Sequence, residues 1–194
     1  SKTLPSVLAL SAEGNRIALM WTDRDAEIWD LSRGTKVVTL SGARRPGERS
    51  RVLLDDKGTR AVVWREREND DRTQTLFVGS PVIWDVDGGR ALTTIDATDT
   101  RPIGFALGGK RVVLTGRTAE SQTATIWDVD TNKPVAPPQD GVETLPTIAP
   151  GGRWVTTIDR ERDVRVWNAE TGAYRRFGAE LLQRAEADAD GWLV

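Results

Sequence analysis

The chain has 194 residues, 38% of them hydrophobic and 29% charged, which is enough apolar material for a folded unit and argues against wholesale disorder. Its 27 Lys and Arg nearly balance its 29 Asp and Glu, so the basic excess typical of a nucleic-acid binder is missing. There is neither Cys nor His, which removes disulfides, thiolate zinc sites, Cys nucleophiles, and the commonest general base and metal ligand together.

Taken from the first residue onward, the chain reads as a series of short strands. Ser1 to Pro5 has no apolar run of signal-peptide length, and no stretch of about 18 apolar residues suggests a membrane span. Ala12-Glu13-Gly14-Asn15 reads as a hairpin turn, and Ile17 to Trp21 as the strand after it. Ala26-Glu27-Ile28-Trp29-Asp30 is the next strand; Ser32-Arg33-Gly34 turns it into a further strand, Lys36 to Leu40. The same grammar returns with the turn Asp55-Asp56-Lys57-Gly58, the strand Ala61 to Trp64, and Pro81-Val82-Ile83-Trp84-Asp85 before Arg90 to Ile95. It returns again with Leu107-Gly108-Gly109-Lys110, Val112 to Leu114, Ala124-Thr125-Ile126-Trp127-Asp128 and Lys133 to Ala136. A fourth round uses Pro150-Gly151-Gly152-Arg153, Trp154 to Thr157, Val164-Arg165-Val166-Trp167-Asn168 and Ala173 to Phe177. Near the end, Asp188-Ala189-Asp190-Gly191-Trp192 resembles the start of another round. Ala179 to Ala189 also suits a short helix, but the strand reading is preferred.

The period is the strongest signal. From Trp29 to Trp84 is 55 residues, from Trp84 to Trp127 is 43 and from Trp127 to Trp167 is 40. Two of these match the 40–45-residue repeat of a four-stranded propeller blade. The long first interval places an extra loop at Arg65 to Gln74, where charge alternates without apolar periodicity. The sequence therefore predicts an all-β chain of antiparallel four-stranded blades, in repeats 5–42, 48–97, 100–140 and 142–178 with a partial fifth at 181–194.

Four Trp-Asp or Trp-Asn marks in register, each flanked by matched hairpins, resemble the WD-repeat β-propeller family over nearly the whole chain. The resemblance implies that Trp29, Trp84, Trp127 and Trp167 are structural residues on the third strand of each blade, packed between blades. Burying one such ring removes about 150–250 Å² from water. Family members often carry a His-containing buried tetrad, which a chain without His cannot complete. Its Asp position, six before each Trp, holds Asp23, Val78, Ser121 and Glu161. Rigidity is then expected to come from apolar packing. Four repeats and a fraction leave open sheet edges, so further blades are expected from the parent chain or from another copy.

Several local motifs have simpler readings. Gly104 to Lys110 has P-loop spacing, but Arg111 follows where Ser or Thr should stand and a strand follows where a helix should, so it reads as a hairpin turn. Asp128 to Asn132 begins like a calcium loop, but Lys133 and Gln139 occupy the positions of the required Gly and Glu. Asp55-Asp56 reads as a turn, and Glu66, Glu68, Asp70 and Asp71 with Arg65, Arg67 and Arg72 as a solvated loop. Trp21, Trp64, Trp154 and Trp192 are assigned to blade core, with Trp21 and Trp64 as alternative anchors at the ring mouth.

No catalytic, cofactor-binding or metal-binding residue is assigned. The candidate protein-binding residues are Arg44, Arg45, Arg49, Arg67, Arg160 and Arg162, in or near loops that open onto one face of such a ring, where bidentate Arg contacts would grip an acidic partner. The expected function is a non-catalytic protein-interaction scaffold or sensor, cytoplasmic, within a larger signalling or regulatory protein. No nucleic-acid or membrane partner and no cofactor is expected. The alternative is a propeller with a small-molecule or enzymatic site in its central channel.

Overall fold

The computed structural model describes residues 5, 7–21, 24–41, 45, 47–69, 75–117 and 121–178. The expected partial fifth repeat at 181–194, with Trp192, and the site residue Arg44 lie outside the described residues, as do Asp23, Asp70, Asp71 and Arg72.

The chain is an all-β propeller whose described residues form four antiparallel sheets in chain order, with no helix among them. The first blade is β1 (Val7–Leu10), β2 (Arg16–Met20), β3 (Ala26–Asp30) and β4 (Thr35–Leu40). The second is β5 (Arg49–Leu54), β6 (Arg60–Glu68), β7 (Thr75–Asp85) and β8 (Arg90–Thr94). The third is β9 (Thr100–Ala106), β10 (Arg111–Arg117), β11 (Gln122–Asp128) and an outer edge in two pieces, β12 (Lys133–Pro134) and β13 (Gln139–Val142). The fourth is β14 (Thr147–Ile148), β15 (Trp154–Ile158), β16 (Val164–Asn168) and β17 (Tyr174–Phe177). The sequence placed one outer strand at Lys133 to Ala136. It breaks because Pro137 and Pro138 cannot donate to a ladder, and pairing with β11 resumes only at Gln139.

The four tryptophans hold the same seat. Each sits on the third strand of its blade opposite an apolar residue of the second: Ile17 faces Trp29, Ala61 faces Trp84, Val112 faces Trp127 and Val155 faces Trp167. The following Asp or Asn explains the second half of the mark. Asp30 Oδ1 accepts the N–H groups of Ser32 and Arg33, Asp85 Oδ1 that of Gly88, Asp128 Oδ1 those of Asp130 and Thr131, and Asn168 Oδ1 those of Glu170 and Thr171. A short acceptor at the strand end thus folds the hairpin into the fourth strand. The calcium-like start at Asp128 is one of these turns, and the Gly104 to Lys110 segment runs from β9 into the turn before β10.

Consecutive blades pack face to face, and alternation assigns each strand residue to a neighbour. Ala18, Met20, Ile28 and Leu40 of the first blade share a core with Val52, Ala61, Val63 and Val86 of the second. Val62, Ile83 and Ile95 of the second meet Phe105, Val112, Leu114, Trp127 and Val129 of the third. Ala106, Val113 and Ile126 of the third meet Val155, Trp167 and Ala169 of the fourth. The inner strands β1, β5, β9 and β14 touch in sequence, as they would around a central axis. Trp84, Trp127 and Trp167 therefore look back at the preceding blade, while half-buried Trp29 lies on the face of the first blade that no sheet covers among the described residues.

Turns between first and second strands climb like steps. Glu13 N–H donates to Asp56 O at 2.9 Å, tying the first two turns. Gly152, at φ +70°, lies so close to the third blade that an added Cβ would sit 2.5 Å from Leu107 N and 2.8 Å from Ala106 Cα. Its positive φ and this close approach both demand glycine.

Candidate functional site

Antiparallel blades put all first-to-second and third-to-fourth turns at one end of the array. The second-to-third connections and the connections between blades lie at the other end, which carries the expected arginines.

In the second blade this rim is built up. The sequence placed a loop at Arg65 to Gln74, but the structure instead lengthens β6 and β7 into a hairpin, pairing Arg65 with Val78, Glu66 with Phe77, Arg67 with Leu76 and Glu68 with Thr75. The ladder continues because alternate residues find inward partners. Glu66 is buried, where solvation was expected, and its two oxygens accept the Trp64 indole N–H at 2.9 Å and Arg51 Nε at 3.0 Å. Burial of a carboxylate demands such pairing. Arg65 Nε pairs with Glu48 at 3.3 Å and Arg49 with Glu68 at 2.8 Å. Trp64 is only 7% exposed, so it belongs to the core and not to a ring-mouth anchor.

The fourth blade carries the other cluster, in the turn from β15 to β16. Arg160 reaches Glu143 at 4.0 Å, and Arg162 holds φ +65° there with an exposed side chain. Beneath them lies a group the sequence reading missed. Fully buried Asp159 pairs with Arg165 Nε at 3.1 Å and with Arg176 Nε at 2.9 Å. Arg176 also meets Glu161 and Asp163, each at 2.9 Å. Burial pushes the Asp159 carboxyl up, but the Asp163 N–H and the two arginines outweigh it and hold the group below its ordinary 3.8. The same carboxylates hold Arg176 more firmly protonated against its own desolvation. Arg165 further donates to Asp140 O at 3.0 Å, linking this rim to β13 of the third blade. The available signal is the alternation of acid and arginine from Asp159 to Asp163.

The predicted arginines thus fall into two groups. Arg45 lies in the connection leading into the second blade, Arg49 and Arg67 on that blade, and Arg160 and Arg162 on the fourth, with the third blade between. Arg49 pairs with Glu68 while its side chain stays 65% exposed. Among the described residues Arg45, Arg67 and Arg162 are exposed and make no ion pair. Aromatic surface flanks them at the first blade, where Arg24 stacks 4.8 Å from the half-buried Trp21 ring. Trp154, expected in the core, is 42% exposed at the opposite end, under Arg153 at 5.5 Å. It is exposed because it points to the side of the fourth blade away from the third.

No family model matches the chain, and no curated protein matches it. Among solved structures it is similar to TolB from Acinetobacter baumannii, with a TM-score of 0.49 and 14% identity over 91% of this chain and 44% of that one. The chain therefore spans less than half the length of that protein.

Proposed function

We propose that this propeller is a non-catalytic docking module of the WD-repeat type, and that it binds an acidic segment of a partner protein across the rim that carries Arg45, Arg67 and Arg162. One observation carries the reading: the second blade spends extra strand on lifting its β6–β7 hairpin, and the side chains left outward on it include an uncommitted arginine. Arg65, Glu66 and Glu68 of the same hairpin are paired with Glu48, Arg51 and Arg49, so the exposed cation Arg67 stands on a charge-compensated base. Guanidinium forks suit carboxylates, and their low desolvation cost suits an interface. The module would serve a larger cytoplasmic signalling or regulatory protein.

The test is a triple reversal, Arg45→Glu, Arg67→Glu and Arg162→Glu, compared with the parent in crosslinking capture followed by measured affinity for the captured protein. Exposed charge reversals leave folding intact, so the melting temperature is expected to stay within about 2 °C. Affinity is expected to fall at least tenfold, mostly through slower association at low salt. Unchanged affinity would refute this face as the docking site. A saturable melting shift with a small molecule, unaffected by the reversals, would move the function to the channel.

A further inference from the structure

Two inner-strand arginines stand at equivalent positions of the second and third blades, and only one of them has a counter-charge. Arg51 lies on β5 opposite Trp64, and Arg101 on β9 opposite Thr115. Trp64 and Thr115 are themselves equivalent, each four residues after the arginine that opens its strand, Arg60 of β6 or Arg111 of β10. Val62 packs against the third blade and Val113 against the fourth. Alternation therefore turns Trp64 and Thr115, two residues further on, to the same sides, and the arginines opposite them follow. Arg51 faces the third blade and Arg101 the fourth.

The second blade supplies its own acid. Two residues beyond Trp64, buried Glu66 accepts Arg51 Nε at 3.0 Å. The third blade holds an exposed Arg117 at that position, so the same diagonal across the sheet carries two cations. Arg101 is half-buried, and its Nε is buried with no hydrogen-bond partner. Nitrogens of Arg16, Arg60 and Arg111 are also buried without partners, but each of those side chains holds a carboxylate through another nitrogen. Arg101 makes no ion pair among the described residues. A guanidinium drawn out of water without a counter-charge costs stability, and folded chains ordinarily provide one. Glu66 meets that demand in the second blade. In the third the demand stands open, and Arg117 adds to the positive field around it.

We propose that Arg101 and Arg117 hold one oxyanion, a carboxylate or a phosphate, at the rim end of the third blade where the fourth packs against it. Guanidinium forks match both groups with paired N–H donors. Arg101 is the anchor, because its free donor is already desolvated, and Arg117 supplies a second, exposed fork. The site stands apart from the docking reading: the triple reversal at Arg45, Arg67 and Arg162 leaves both of its arginines in place.

The test follows melting of the 194-residue chain in chloride buffer of fixed ionic strength, with part of the chloride replaced by inorganic phosphate, acetate or a short polyglutamate peptide. An oxyanion well above its dissociation constant is expected to raise the midpoint by about 2 °C or more. The largest of the three shifts identifies the source as free phosphate, free carboxylate or the side chains of a peptide. Arg101→Met is expected to abolish the shift while its midpoint in chloride stays at or above that of the parent, since the change removes an unpaired cation. Arg51→Met, which strips Glu66 of its partner, is expected to lower the midpoint. Arg117→Glu rebuilds the second-blade arrangement, and is expected to raise the chloride midpoint and abolish the oxyanion shift. Arg90→Met, at an exposed cation of β8, is expected to keep the shift of the parent. A parent insensitive to all three anions, a shift that survives Arg101→Met, or an Arg101→Met midpoint in chloride as low as that of Arg51→Met would each overturn the proposal.

Discussion

Thr157→Val tests whether the blades are locked by specific polar contacts as well as by apolar area. Trp167 is 4% exposed and Thr157 2%, and the indole N–H donates to the Thr157 hydroxyl at 3.0 Å inside the fourth blade. Valine keeps the shape and removes the acceptor, so the indole donor is left buried and unpaired. Such an orphan costs about 1–3 kcal/mol. For a chain of this size each kcal/mol moves the melting temperature by about 2–4 °C, so a fall of roughly 2–12 °C is expected in calorimetry. Thr94→Val, at an exposed position, supplies the control and is expected to change stability by less than about 0.5 kcal/mol. Trp167→Phe in both backgrounds completes a cycle, and a coupling of about 1 kcal/mol is expected because the donor and acceptor count only as a pair. Additive effects, or a Thr157→Val melt indistinguishable from the control, would show that the fourth blade depends on packing alone.

Other consequences are as direct. Ile83→Ala empties a fully buried site between the second and third blades, and denaturant titration should show a loss of about 2–5 kcal/mol. Gly152→Ala must push a Cβ into the backbone at Ala106 and Leu107, whereas Gly151→Ala meets open space with only its φ of +79° strained. The first should destabilise markedly more than the second, whose cost is near 1 kcal/mol, in the same titration. Asp30 is held below 3.8 by the Ser32 hydroxyl and the Arg33 N–H. Asp128 is held below it although burial opposes this, by Thr131 and Arg111. With Asp159, these groups contribute stability that is complete above their unfolded pKa and is lost as pH falls through the lowered folded values. Tryptophan fluorescence should therefore report acid unfolding below about pH 4, with a shallower pH dependence in Asp159→Asn.

Where the repeat period governs, sequence and structure coincide. The tryptophan seats, the turns after them and the strands before them follow from local rules: a polar acceptor ends a strand, glycine turns it, and alternation picks its face. Legibility fails where a residue's fate depends on a distant neighbour. Arg65 to Glu68 reads as loop because it alternates charge, and it becomes strand because Glu48, Arg49 and Arg51, brought alongside by β5, neutralise it. Arg49 looked free for the same reason. Trp154 reads as core by composition, yet among the described residues its face has no sheet against it. Asp159 is not legible locally because its partner Arg176 arrives from β17, beyond the turn that holds the visible arginines.

These failures locate the division of labour in the fold. Ion pairs across the first two inner junctions lie at the turn end: Arg16 with Asp87 and Arg60 with Asp130, on half-exposed or exposed side chains where an ion pair adds little stability. Their contribution is therefore register, since a slip by one residue would bring arginine against apolar core. At the opposite end, carboxylates hold rim arginines within blades, as Glu68 holds Arg49 and Asp159 holds Arg176, while Arg165 also reaches Asp140 O of the third blade. Charge that fixes blade order and charge that shapes the outer rim thus occupy different ends of the same sheets. Substitutions at the rim can change what the propeller meets without disturbing how its blades stack.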